Sequence, residues 1–538
     1  MKQILITILI FTGIFCTANN AGQFVYWIQF NTKAGTPYSI EMPADYLSER
    51  ALTRRQRMGI EIDSTDLPVN PAFADSLKAI GFGIKHTSRW MNGSIAYLPD
   101  SINIDSVFQP SFVEFYELRK NQVLKSTKNK FSEEDSLVQA IYGNSFNQIS
   151  MLNGHILHQY SKAEGIHIAV IDAGFSNTDL LPAFDSLRAR NGILGTVDFV
   201  SSAKNDVYRE HYHGTAVLSL MAGNIPGQLV GTAPLANYWL LRSEDDNSEF
   251  PVEEDYWIIA AEFADSAGCD VINTSLGYTE FDDPLFNHSY DKLNGSTLRI
   301  SKAANIAVEK GIVTLISAGN SGNDEWFHIS APADAKNVLA VAAVNNSQQI
   351  SGFSSRGFSG DSIVPKPDVA AQGVSTTISI YPESVSTGSG TSFSSPIMAG
   401  MAACLIALYP DKNAFEIHDI IRSLGNLYPQ HDVAYGYGIP NFKLLFPELS
   451  TTFLTNKEQN IEVFPNPFEN TINIYDQNKN IHTIELFSFT GQKIAKATLS
   501  TTGFSEITMP ELSNLPKGVY FAVLYGKKQS FSVKLIKK

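Results

Sequence analysis

The sequence predicts an α/β protein built around a mainly parallel β-sheet, with a small α+β domain ahead of it and a β-sandwich behind it. Three observations carry that expectation. Between residues 142 and 449, short aliphatic runs such as "IHIAVI", "DVINTSL", "GIVTLISA" and "NVLAVAAV" alternate with helical stretches such as "YWIIAAEFADSAG" and "TLRISKAANIAVEKG". Continuous apolar strands between helices mean a parallel sheet covered on both faces. Ahead of this region, residues 22–125 show strand-like alternation on either side of the basic, helical "ADYLSERALTRRQRMGIEID". Behind it, residues 460–538 break into short alternating strands punctuated by Asn, Gly and Pro, as in "IEVFPNPFENTINIY" and "KGVYFAVLYGKKQSFSVKLIKK".

The remaining segments set the compartment. Lys2, the apolar run "ILITILIFTGIFC" and the small residues of "TANNAG" read as a secretory signal over residues 1–21, with cleavage expected after Ala18 or Ala21. Ile14 and Phe15 are too large to precede a lipid-modified cysteine, so Cys16 reads as part of the apolar core of that signal. Residues 126–141, "STKNKFSEEDSLVQAI" with its charged first half, read as an exposed linker. After the signal, no segment reaches membrane-spanning length without polar interruption. The net charge of −14 and the absence of a Lys/Arg stripe interleaved with aromatics exclude nucleic acid as a partner. Export leaves Cys269 and Cys404, both in apolar contexts, where a buried free thiol is expected over a bond.

In a parallel sheet, chemistry gathers beyond the carboxyl ends of the strands. Asp172 ends "IHIAVID", with Gly174 letting the chain turn away. By itself it could equally cap a helix or bind a metal. His213 precedes a Gly-Thr and an apolar helical segment in "HYHGTAVLSLMAG"; one histidine there is usually structural, and His211 is a nearby alternative. Asn320 ends another apolar run in "LISAGNSG", where an asparagine is most often a turn former. Ser392, in "GTSFSSPIMAG", follows a tight turn at Gly390 and stands where a helix should start, among orphan N–H groups that favour negative charge. Together these are a base, a carboxylate to orient it, a hydroxyl at a helix N-terminus and a side-chain amide. Serine acyl transfer needs that set.

The chain order Asp172, His213, Asn320, Ser392, with "DAG", "HGTAVLSLMAG", "SAGNSG" and "GTSFSSP", resembles the subtilisin-like serine proteases from about Gly165 to Leu445. "DVINTSLG", "GTAP", "FSSRG" and "YGYGIPN" extend the resemblance beyond the four residues. Ala173 stands where the family more often has Ser or Thr, which bears only on the hydrogen bonds around the carboxylate. The resemblance implies a subtilisin-like three-layer fold and a secreted serine endopeptidase acting on polypeptides. It implies that Asp172 orients, that His213 acts as general base and that Ser392 attacks. Asn320 and the Ser392 N–H would form the oxyanion hole, and Ser275, Leu276 and Gly277 would pair with an extended substrate. No cofactor is required for such chemistry; structural calcium is expected from the family, but no motif assigns it a site. The domain over 22–125 stands where these proteases carry a propeptide, and the C-terminal module resembles the sorting domain of type IX secretion substrates. Passage through the periplasm and across an outer membrane is then expected. The acidic segment Ser243–Asp255 would lie beside the non-primed side of the cleft in the family's layout, but reads first as solvated surface charge. Two other classes compete: a surface protein that binds peptides without cutting them, disfavoured because the three residues of the triad are all present, and another type of α/β esterase, whose order would be Ser, Asp, His.

Overall fold

The computed structural model describes residues 23–99, 110–121, 142–201, 206–358, 364–446 and 461–537, the last with breaks at 465–466, 469, 477–480, 489–492, 499–503, 509 and 527–529. The expected signal and linker lie outside the described residues. Two compact units divide the chain, Met1–Asn441 and Phe442–Lys538.

Within the first unit, the N-terminal domain is a four-stranded antiparallel sheet in the order β2-β3-β1-β4, formed by β1 (Gln23–Phe30), β2 (Gly83–Ser88), β3 (Gly93–Pro99) and β4 (Val113–Lys120). Ile28, Phe30, Leu77, Phe82 and Leu98 close its small core. Helix α1 (Glu49–Met58) starts at Ser48, whose side chain accepts the Ala51 N–H, and ends at Gly59 in the left-handed region. Helix α2 (Pro71–Ala79) starts at Asn70, with Pro71 in the first turn.

Seven strands make the central sheet: β5 (His167–Asp172), β6 (Ile193–Asp198), β9 (Asn237–Arg242), β10 (Val271–Thr274), β11 (Val313–Ser317), β12 (Leu339–Val344) and β13 (Val369–Gln372). All are parallel, in the order β13-β12-β11-β10-β5-β9-β6. Short hairpins, β7 (Asn224–Ile225) with β8 (Leu229–Val230) and β14 (Thr376–Ile378) with β15 (Ser386–Gly388), lie outside it. Every residue of β10, β11, β12 and β13 is buried, so both faces are covered, as continuous apolar strands require. Short helices α3 (Phe146–Ser150), α4 (Gly154–Leu157) and α5 (Asp185–Ala189) precede the main ones. Helix α9 (Thr391–Leu408) packs on α6 (His213–Ala222) and on β10, β11 and β12; α7 (Val252–Ala267) packs on α8 (Arg299–Glu309), and α10 (Ala414–Ser423) lies beside α9. Among the described residues α9 alone is long and apolar enough to cross a membrane, but it is buried inside this fold. Cys269 and Cys404 are both buried and unbonded, and burial pushes both thiols well up.

The basic helix of the N-terminal domain docks on α7 through buried charge. Arg54, Arg55 and Arg89 converge on the single carboxylate of Asp265, with Arg55 at 2.7 Å and Arg89 at 2.6 Å. Arg55 also meets Asp66 at 2.8 Å, and Lys310, just after α8, meets Asp66 at 3.0 Å. Arg119, at the end of β4, reaches Glu254 and Asp255 at 2.8 Å each. The acidic residues of Ser243–Asp255 are therefore not all solvated surface charge. Glu253, Glu254 and Asp255 form the buried first turn of α7, where a helix N-terminus favours carboxylates, and Glu244 is buried as well.

The second unit is a sandwich of two antiparallel sheets, β16-β17-β20 and β19-β18-β21-β22, built from β16 (Ile461–Phe464), β17 (Thr471–Asp476), β18 (Ile481–Ser488), β19 (Lys493–Thr498), β20 (Phe504–Thr508), β21 (Gly518–Gly526) and β22 (Ser530–Lys537). Phe468, Ile472, Ile484, Leu486, Leu524 and Leu535 fill the space between them.

Burial pushes the Asp66 carboxyl up, but the hydrogen bond and charge of Arg55, with Lys310 behind, outweigh it and hold it down at about 2. A carboxyl held below its ordinary value stabilises the fold above the unfolded pKa, about 4, and that contribution fades as pH falls through about 2. Asp66→Asn should therefore cost about 2 kcal/mol near neutral pH. In urea titrations of the full chain, the gap between parent and variant should close as pH falls from about 4 toward 2. A gap that stays constant with pH would show that Asp66 is not held ionised.

Candidate active site

Asp172 ends β5, and Ser275 and Asn320 follow the carboxyl ends of β10 and β11; the three strands lie side by side in the sheet. His213 and Ser392 begin or nearly begin the two packed helices, α6 and α9. The topology thus gathers five positions from widely separated parts of the chain on one edge.

His213 Nδ1 lies 2.7 Å from Asp172 Oδ1, and both residues are buried. A carboxylate oxygen can only accept, so Nδ1 carries the proton and Nε2 is left as the basic nitrogen. Asp172 Oδ1 also accepts the Ala173 N–H at 2.8 Å, while Oδ2 has no hydrogen-bond partner among the described residues. Ala173 supplies no hydroxyl, but its carbonyl is gripped at 3.1 Å by Nε of Arg242, which ends β9 and pairs with Asp198 at 3.0 Å. The alternative histidine serves the backbone instead, since His211 Nδ1 accepts the His213 N–H at 3.3 Å. Close approach explains the glycines of "DAG" and "HG". A Cβ on Gly214 would meet the Gly174 carbonyl at 2.3 Å, and one on Gly174 would meet the His211 nitrogen at 2.4 Å.

Ser392 sits in the first turn of α9, with Gly390 as its N-cap. Its hydroxyl donates to the Ser275 carbonyl at 3.3 Å, and the Ser275 hydroxyl donates to the Ser392 carbonyl at 2.8 Å. This second contact has a cause four residues on. Pro396 has no N–H, so the Ser392 carbonyl lacks its helical donor and is free to accept from outside. Phe393 stands with its ring centroid 6.0 Å from the His213 imidazole, which keeps the start of α9 beside the Asp172–His213 pair.

Asn320 is exposed, and its Oδ1 accepts both the backbone N–H and the hydroxyl of Thr391, each at 2.9 Å. A backbone N–H can only donate, so the amide oxygen faces Thr391 and the NH2 group is turned away from it. Thr391 Oγ1 also accepts the Gly319 N–H at 3.1 Å. Ser355, from "FSSRG", accepts the Ser321 N–H at 3.0 Å and steadies the same loop. Leu276 is buried, and Gly277 is exposed with no room for a Cβ on the side of Ser330. Sequence reasoning singles out Asp172, His213, Ser275, Leu276, Gly277, Asn320 and Ser392, but not Arg242 with Asp198, Phe393, or Thr391. Thr391 is visible in "GTS", but the residue it holds is not.

Among the described residues, one group of three carboxylates converges, Glu244, Glu249 and Glu253, with ligand oxygens within 4.8 Å of one another. Calcium takes six to eight oxygens. Tyr278 donates to Glu244, and Glu253 accepts the Asp245 N–H at 3.1 Å. Two of the three carboxylates thus already hold protein hydrogen-bond donors.

Comparison with known proteins assigns three parts of the chain. Residues 163–438 match the subtilase family, residues 25–135 the peptidase S8 propeptide domain of Bacteroidota, and residues 462–538 a secretion system C-terminal sorting domain. The chain is 28% identical to subtilisin E of Bacillus subtilis over 324 residues, covering 60% of this chain and 76% of that protein. It is 29% identical to a Bacillus pumilus subtilisin over 297 residues, 54% of this chain and 95% of the other. A thermophilic serine proteinase of a Bacillus species, strain AK1, is 30% identical over 280 residues, 51% of this chain and 60% of the other. With half its length in that catalytic domain, this chain belongs to the subtilase family and is a serine endopeptidase with a propeptide before its catalytic domain and a secretion sorting domain after it.

Proposed function

We propose that the chain hydrolyses peptide bonds through Asp172, His213 and Ser392 by way of an acyl-enzyme. The observation that carries this reading is the buried Asp172–His213 hydrogen bond, which leaves Nε2 as the base beside the first turn of α9. Ser392 Oγ forms the bond to the scissile carbonyl carbon as its proton passes to Nε2. The hydroxyl's contact with the Ser275 carbonyl is long, so turning toward the imidazole costs it little. Negative charge develops on the carbonyl oxygen, where the Asn320 amide NH2 and the Ser392 N–H donate. Collapse breaks the peptide C–N bond, Nε2 returns its proton to the leaving amine, and water repeats the sequence on the ester. Ser275, Leu276 and Gly277 offer backbone to an extended peptide. No cofactor enters these steps.

In the same reading, the domain at 22–125 is an inhibitory propeptide removed by cleavage in the 126–141 linker. The signal peptide takes the chain to the periplasm, and the sandwich at 460–538 directs it across the outer membrane to the cell surface or medium through the type IX machinery.

Ser392→Ala should abolish casein cleavage and fluorophosphonate labelling, and should leave the N-terminal domain attached in the exported protein. Undiminished cleavage by the purified variant would refute the assignment. Asn320→Leu should lower kcat by about 100- to 1000-fold with KM nearly constant, the magnitude known for losing one such donor in a subtilisin, a relative of this chain. Parental kcat in a variant that melts like the parent would return Asn320 to the role of a turn residue. Removing the chain from Asn460 onward should trap folded protease in the periplasm; normal appearance outside the cell would favour a binding module instead.

A further inference from the structure

Arg242 fastens together the two segments that carry Asp172 and His213. It ends β9, in register with Asp172 at the end of β5 on one side and with Asp198 at the end of β6 on the other. The side chain is buried, and its three nitrogens reach partners on three different segments. Nε donates to the Ala173 carbonyl at 3.1 Å, one terminal nitrogen meets Asp198 Oδ2 at 3.0 Å, and the other meets Glu210 Oε2 at 3.3 Å. Asp246 stands at 4.0 Å from the same guanidinium. The anchor is fixed in its turn, because Asp198 Oδ1 accepts the Val200 and Ser201 N–H groups at 2.9 Å each.

Among the described residues, the Asp172 carboxylate has two donors, His213 Nδ1 at 2.7 Å and the Ala173 N–H at 2.8 Å, both on Oδ1. It therefore takes its orientation from the backbone at Ala173, whose carbonyl Arg242 holds. Glu210 lies three residues before His213, on the facing segment. The two segments run side by side, with the Phe175 N–H donating to the Val207 carbonyl at 2.8 Å and the Asn177 N–H to the Tyr208 carbonyl at 3.1 Å. Ahead of Phe175, at Ala173, the guanidinium spans the same two segments. A planar fork with fixed donors sets distance and angle together, which a point charge does not.

We propose that Arg242 is a positioning residue for the reaction: by holding the Ala173 carbonyl and Glu210 on one guanidinium, it fixes Asp172 against His213 and so the aim of Nε2 at Ser392. Residues 275–277, which would meet the peptide, follow β10, a different strand. Loss of Arg242 should therefore cost turnover and leave substrate binding alone. This inference rests on the reading of Asp172, His213 and Ser392 as the catalytic triad.

The test uses protease purified from the culture medium, with active sites counted by prolonged exposure to a fluorophosphonate, and kcat and KM measured on one short peptide. Arg242→Met, which keeps much of the length and none of the donors, should lower kcat per counted site by about 10- to 100-fold, with KM within about twofold of the parent. Arg242→Lys keeps the charge but loses the fork, and its kcat should lie between the two. Glu210→Ala leaves Arg242 on Ala173 and Asp198 and frees one arm; it should lower kcat several-fold, and it decides the matter if Arg242→Met yields no folded protein. Parental kcat per site in Arg242→Met, or in Glu210→Ala where Arg242→Met does not fold, would overturn the proposal even if the variant melts lower, and would leave Arg242 as a structural ion pair. Parental kcat in Arg242→Lys would overturn it too, because charge alone would then suffice. So would a raised KM at parental kcat in Arg242→Met. A parent protein that takes up no fluorophosphonate would instead overturn the reading of Ser392, and the proposal with it.

Discussion

A parallel sheet covered on both faces confines polar chemistry to its ends. The strands β10 to β13 are buried along their whole length, so any unpaired polar side chain placed within them would bear its full desolvation cost. At the carboxyl edge this constraint lifts. There β5, β10 and β11 lie side by side, and the end of β5 and the segments just after β10 and β11 deliver a carboxylate, the backbone of residues 275–277 and an amide to one edge of the sheet. The two helices that pack on each other bring the imidazole and the hydroxyl to the same edge. Gly174 and Gly214 let the strand end and the helix start approach until no side chain could fit between them.

Much of this is legible in the sequence because its signals are local. Apolar strand runs, helical stretches between them, and polar residues just past the strand ends point to the sheet, and Asp172, His213, Asn320 and Ser392 all stand out at strand ends or helix starts. What escapes depends on partners distant along the chain. The grip of Thr391 on Asn320 joins residues 71 apart, and that of Arg242 on the Ala173 carbonyl joins residues 69 apart. No periodicity encodes such pairs. The acidic stretch misleads for a related reason: charge reads as solvated unless its counter-charge is known, and Glu254 and Asp255 share Arg119, in another domain, besides His288 and Arg299 further along the chain.

That inter-domain charge is concentrated to an unusual degree. Asp265 alone answers three guanidinium groups and has no exposed side-chain surface. Buried ion pairs return little net stability against hydrophobic packing, yet breaking one side of them is costly. Such an interface therefore discriminates strongly: it tolerates its own partner and penalises one that leaves a charge unanswered. Were the N-terminal domain removed, as proposed, α7 would regain carboxylates that water must solvate. The catalytic domain thus carries a surface shaped by the domain that precedes it.

Pro396 shows how a defect in one element can become a joint between two. An uninterrupted helix would spend the Ser392 carbonyl on its own ladder. Here that carbonyl is held by the Ser275 hydroxyl, at the head of the strand segment on which an extended peptide would lie. Ser392 is consequently tethered at its backbone to Ser275, the start of the segment proposed to meet the substrate. On the proposed reading, a peptide laid along residues 275–277 would lie against the very segment that holds the backbone of the nucleophile.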